Sequence, residues 1–112
     1  MSRSSREFLF GNDLPWEEAG PGLKRQVMGF DDSIMMVKVQ FQAGGVGQMH
    51  DHPHSQVTYV VQGEFEMTIG GEKKIVKEGD SFYVPPHVSH GCVCTHGGIL
   101  LDVFSPCRED FL

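Results

Sequence analysis

Between Leu23 and Phe104 no apolar pattern repeats at a helical period, and each short alternating run is cut off by a turn signal before it reaches helical length. Asp31-Asp32-Ser33 turns into a strong strand from Ile34 to Phe41. Phe65, Met67 and Ile69 alternate with Glu64, Glu66 and Thr68, the period of a strand with one dry and one wet face. Gly70-Gly71 is a tight hairpin turn that returns the chain along Lys73 to Val76. Ser81 to Val84 is stopped by Pro85-Pro86, Gly91 to Cys94 follows, and Thr95 to Gly98 turns into a last strand from Ile99 to Phe104. Roughly eight or nine short strands separated by Gly/Pro turns specify an all-β sandwich or barrel. The 112 residues suit a single domain over 23–112, preceded by an arm over 1–22. In that arm DLPWEEAGPG carries Trp16, the one tryptophan, which is expected to pack over an open edge of the sheet.

The charge excludes some partners. A formal net charge of -6, with no basic cluster longer than Lys24-Arg25 or Lys73-Lys74, argues against a nucleic-acid surface. No apolar run has the length of a membrane span or of a signal peptide, so a cytoplasmic protein is expected. The three cysteines lack CxxC spacing, and Cys92 and Cys94 fall on one strand, which favours free thiols.

The segment GGVGQMHDHPHSQVTYVVQG, Gly44 to Gly63, holds the densest chemistry. His50 and His52 are two apart and on an extended strand would point to one side, with Gln56 able to meet them after the kink at Pro53. The missing ligand is expected from GDSFYVPPHVSH, which delivers His90. Three imidazoles and a neutral amide leave the double charge of a divalent cation uncompensated, so such an ion would favour anionic or polar oxygen ligands. Ligand type alone admits zinc, nickel, iron or manganese. His54, His87 and His96 read as loop or rim residues.

Near the C-terminus an acid sits inside an apolar strand, with Asp102 in phase with Leu100 and Phe104. Facing a cavity, its carboxyl would have a raised pKa and suit proton transfer; facing outwards, it would be ordinary strand decoration. Arg108 follows Pro106 and either returns to the cavity mouth as a carboxylate fork or forms a surface pair with Glu109 or Asp110. Tyr59, Phe65, Met67, Phe82 and Phe104 read as core or pocket wall, and of these Tyr59 and Phe104 are expected to contact a substrate.

These residues carry a family resemblance. Gly44, His50, His52, Gln56 and Gly63 match the first motif of the cupin superfamily, except that Gln56 stands where the family has an acid. Gly79, Pro85 and His90 match the second, with His87 in place of its glycine and Cys94 in place of its asparagine. More narrowly, DLPW, HPHSQ, GEFEMTIGG, VPPHVSHGCVC and DVFSPCREDFL resemble the pectin-degradation cupins of the KdgF type from Asp13 to Leu112. The resemblance implies a single-domain jelly-roll barrel with a divalent metal on His50, His52, Gln56 and His90. It also implies conversion of 4,5-unsaturated monouronates from pectin or alginate to the linear 4-deoxy-5-keto uronate, with Asp102 and Arg108 as catalytic groups. A metal-dependent cupin dioxygenase and a non-catalytic sugar-acid-binding cupin are the alternatives. A homodimer is expected from the arm and the open sheet edges.

Overall fold

The computed structural model describes residues 3–112. Its ten strands are β1 (Glu17–Gly20), β2 (Leu23–Asp31), β3 (Ile34–Phe41), β4 (Val46–His50), β5 (Ser55–Gln62), β6 (Glu64–Ile69), β7 (Glu72–Lys77), β8 (Ser81–Val84), β9 (His90–Cys94) and β10 (Gly98–Ser105). They form a six-stranded sheet in the order β1-β2-β3-β10-β5-β8 and a four-stranded sheet in the order β4-β9-β6-β7, with every pair antiparallel. Two single-turn 3-10 helices, Gly11–Asp13 and Glu109–Phe111, lie near the ends of the chain. This is the expected all-β jelly-roll, with β1 added from within the arm.

The arm is more closely integrated than its composition suggested. The Ser5 backbone N–H donates to the Phe30 carbonyl, and the Phe30 N–H donates back to the Ser5 hydroxyl. The Gln26 side-chain amide donates to the carbonyls of Gly11 and Leu14, so a buried glutamine on the outer face of β2 fastens the chain that covers it. Trp16 lies over the same sheet, with the Lys24 ammonium 5.2 Å and the Lys38 ammonium 5.9 Å from its ring centre.

The inner faces of the two sheets meet in a dry region and then open into a cavity. Leu23, Phe41, Val60, Phe65, Cys94 and Leu100 pack together, and the Phe41 and Phe65 rings meet edge to face at 5.0 Å. Burying each large apolar side chain stabilises the fold by about 1.5–3 kcal/mol. Met35, Val37, Phe104 and Cys107 form a second cluster under the C-terminal segment. All three thiols are free.

Two motif positions show what the backbone demands there. Gly63 joins β5 to β6 at φ 93°, and a methyl group on it would lie 2.5 Å from the Gly97 carbonyl oxygen, so both conformation and space require glycine. His87 also has positive φ, at 65°, which explains why the cupin pattern has glycine there. Its N–H is fixed by the His52 carbonyl at 2.8 Å, so the loop keeps this conformation despite the side chain. A left-handed L-residue costs about 1–2 kcal/mol, partly offset by the greater unfolded-state freedom of glycine. His87→Gly is therefore expected to raise the free energy of unfolding by about 1 kcal/mol or somewhat less, read from urea titration curves; a destabilised variant would mean that the His87 ring makes a contact worth more than its backbone cost.

Candidate metal centre

Strand phase brings the polar groups together. On β5, Gln56, Thr58 and Val60 face inward and are buried, while Val57, Tyr59 and Val61 face out. On β10, Leu100, Asp102 and Phe104 share the inward phase and lie opposite Val60, Thr58 and Gln56. Asp102 thus faces the cavity, in phase with its two apolar neighbours. From the other sheet His50 pairs directly with His90 across β4 and β9, after a bulge between Gly47 and His50. The cavity between the sheets measures about 470 Å³, and His50, His90, Gln56, Asp102, Phe104 and Arg108 are among the residues that line it.

Tyr59 is the exception. It was expected against the substrate, but it points away from the cavity and is 50 % exposed, because it is one residue out of phase with Gln56 and Thr58. His52 also differs in one respect: β4 ends at His50, and His52 sits in the loop that follows. It is nonetheless buried, with its ring centre 4.8 Å from that of His90 and 5.6 Å from that of His50.

The ligand nitrogens of His50, His52 and His90 all lie within 4.8 Å of one another, and this cluster could hold a metal ion. The hydrogen bonds around it set the tautomers. Nδ1 of His50 faces the Gln48 carbonyl at 2.8 Å, Nδ1 of His52 the His54 carbonyl at 3.1 Å, and Nδ1 of His90 the Val88 carbonyl at 2.9 Å. A carbonyl only accepts, so each Nδ1 carries the proton and each Nε2 presents a lone pair. Nε2 of His90 is buried without any hydrogen-bond partner. Burial pushes the His90 pKa down to about 4 and lowers that of His52, so both rings are neutral near pH 7.

Gln56 adds an oxygen. Its Nε2 donates to the Thr58 hydroxyl at 3.0 Å and to Asp102 Oδ1 at 3.3 Å, which orients Oε1 towards His52 Nε2, 2.9 Å away. A neutral imidazole lone pair and an amide oxygen at that distance repel unless positive charge lies beside both. The unpartnered His90 nitrogen and this facing pair of acceptors fit a cation-binding site.

Behind the amide, the Thr58 hydroxyl donates to Asp102 Oδ1 at 2.6 Å. Burial pushes the Asp102 pKa up to about 6, against the opposing pull of Thr58, the Arg108 charge and the Gln56 amide. Thr58 was not singled out from the sequence, although it lies two residues beyond Gln56 on the same face. Arg108 combines parts of the two expected positions. It lines the cavity at 9 % exposure, and its Nε and one terminal nitrogen also donate to the two oxygens of Asp110 at 3.0 and 2.8 Å, which holds the Asp110 pKa below the usual range. Its guanidinium carbon lies 5.0 Å from the Phe104 ring centre.

Comparison with known proteins agrees with this geometry. The family described as "Cupin domain" matches residues 37–104. The chain is 43 % identical over 109 residues to the pectin degradation protein KdgF of Dickeya dadantii (strain 3937), an alignment covering 96 % of this chain and 99 % of that protein. Among solved structures it is similar to an RmlC-like cupin from Shewanella frigidimarina NCIMB 400, with a TM-score of 0.95, 53 % identity and coverage of 97 % and 98 % of the two chains. It is also similar to KdgF from Halomonas sp., with a TM-score of 0.91, 37 % identity and coverage of 96 % and 100 %. With its fold, its motifs and a full-length relative in agreement, the chain belongs to the cupin family and, within it, to the KdgF pectin-degradation proteins.

Proposed function

We propose that this protein opens and ketonises a 4,5-unsaturated monouronate released from pectin or alginate, giving the linear 4-deoxy-5-keto uronate. The observation that carries this reading is the arrangement of Asp102. A half-buried carboxyl is linked through the Gln56 amide to the histidine cluster, and it shares one cavity with the cation Arg108. An enzyme that moves a proton within an acidic sugar needs those three elements at once: a charge sink, a proton carrier and a carboxylate anchor.

A divalent ion on His50, His52, His90 and Gln56 would supply Lewis-acid polarisation of substrate oxygens. The protein's own groups do the remainder. Arg108 holds the substrate carboxylate through the part of its guanidinium not engaged by Asp110. The buried ring of Phe104 presents an apolar surface beside the sugar. Asp102 accepts the proton of the anomeric hydroxyl as the bond from C1 to the ring oxygen breaks, and returns it to C4 as the resulting enolate becomes the ketone, so no net proton is gained or lost. Thr58 and Gln56 both donate to Oδ1 and so orient the carboxylate with Oδ2 as its open oxygen. Asp102→Asn is expected to slow loss of the substrate's ultraviolet absorbance at least ~100-fold while metal content by elemental analysis stays unchanged. His52→Ala should lose both metal and activity. Full activity in folded Asp102→Asn would remove this residue from the reaction.

The reading extends to a homodimer. Val57, Tyr59, Val61 and Tyr83 form an exposed apolar patch on the outer face of β5 and β8, with Val57 and Tyr83 directly paired across the strands. A second copy packed on this face would cover it. Tyr59→Asp should shift sedimentation from dimer to monomer without altering the circular dichroism spectrum; a wild-type chain that sediments as a monomer would dismiss the assignment.

A further inference from the structure

Arg25 was not assigned any role by its sequence context, yet its position is unusual for a β2 arginine. It shares the inward phase with Leu23, lies opposite Val39 of β3 in the sheet, and lines the same cavity as the histidine cluster. Its side chain is only 23 % exposed, and its guanidinium carbon stands 3.8 Å from the ring centre of Phe111. Arg108 packs on the same ring at 4.2 Å. Two guanidinium groups, one from β2 and one from the segment after β10, are therefore gathered around one aromatic side chain in the C-terminal 3-10 helix.

Like charges are brought so close only where something compensates them. Here each arginine has one carboxylate partner, and both partners are the more solvent-exposed members of their pairs. Glu17 accepts from Arg25 Nε at 2.6 Å and is 48 % exposed, while Asp110 accepts from Arg108 and is 58 % exposed. The terminal nitrogens of Arg25 make no hydrogen bond to the described residues, and Arg25 is among the residues that line the cavity. The water-facing carboxylates are screened by solvent and hold the two cations in place, and the terminal nitrogens of Arg25 stay free to donate to a ligand.

We propose that Arg25 is a second carboxylate-binding residue of this cavity, paired with Arg108 through Phe111, so that an acidic sugar is held at the arginine end while its reacting carbons lie towards the histidine cluster. The inference rests on the uronate reading for the identity of the acid, and on the contacts above for the site. Arg25 takes no part in proton transfer; its contribution is to affinity and orientation. Phe111 keeps the two planar groups apart and prevents either from swinging to a carboxylate elsewhere on the surface.

The test uses the metal-loaded full-length protein, with D-galacturonate as the probe and D-galactose as its neutral counterpart in calorimetric titration. Wild type is expected to bind the acid at least about tenfold more tightly than the neutral sugar, the range of a charge-assisted contact. Arg25→Gln should lose that margin and raise KM for unsaturated monouronate by about tenfold or more, with kcat changed much less, and Arg25→Lys should retain part of it. Thermal unfolding and metal content serve as controls for folding, and Arg25→Lys keeps the test decisive if the glutamine variant does not fold. A folded, metal-loaded Arg25→Gln protein with unchanged affinity and KM would overturn the proposal, as would a wild type that does not distinguish acid from neutral sugar. If galacturonate binds in an Arg25-dependent way while unsaturated monouronate is not consumed, the carboxylate site stands and the ketonising reaction falls.

Discussion

The structure depends on one amide. Gln56 gives both N–H groups to Thr58 and Asp102 and so must turn its oxygen towards a histidine nitrogen that also has only a lone pair to offer. An unpaired buried acceptor costs about 1–3 kcal/mol, and two facing acceptors cost more. A cation beside them converts that cost into coordination. The same amide passes the consequence backwards, because the carboxyl that receives its N–H is the half-buried Asp102, whose pKa desolvation raises. Charge placed at the histidines is therefore felt at Asp102 through a single side chain.

The arrangement requires both sheets in a fixed register. Gln56, Thr58, Asp102 and Phe104 come from adjacent strands of the larger sheet, and His50 and His90 from paired strands of the smaller one. A slip of one residue in β5 would turn Tyr59 inward and both Gln56 and Thr58 outward. The Phe65 side of the core resists that slip, since Phe65, Val60 and Leu100 fill one continuous apolar space. Stability of the apolar half and geometry of the polar half are the same property of the sheet packing. At the opposite margin of the cavity the chain's last residues close the wall, where Cys107 packs into the core and Phe111 carries two arginines.

Much of this was legible before the fold was known. Period-2 alternation gave the strand from Ile34 to Phe41 and that from Ser81 to Val84 with their observed limits, and it put Asp102 in phase with Leu100 and Phe104. The segments carrying His50, His52, Gln56 and His90 were identified from their spacing, although His52 reaches the cluster from the loop after β4 and not from the strand. Tyr59 looked like a pocket residue because of its aromatic character, yet it stands three residues beyond the inward Gln56 and period-2 alternation turns it out. What was illegible depended on contacts between distant strands. The fastening of the arm was silent because Gln26 gives no sign in sequence that its amide will hold Gly11 and Leu14. Arg25 was silent for the same reason, as its partners Glu17 and Phe111 lie on a different strand and at the far end of the chain.

The account's central claim is that three imidazole nitrogens and one amide oxygen converge to hold a cation. Anomalous diffraction from crystals of chelator-treated protein supplied with zinc or nickel tests it most directly. The expected result is one peak per chain, about 2.0–2.2 Å from Nε2 of His50, His52 and His90, with Gln56 Oε1 as the remaining protein ligand. A map without such a peak, or one in which the Gln56 amide has turned its nitrogen to His52, would contradict it.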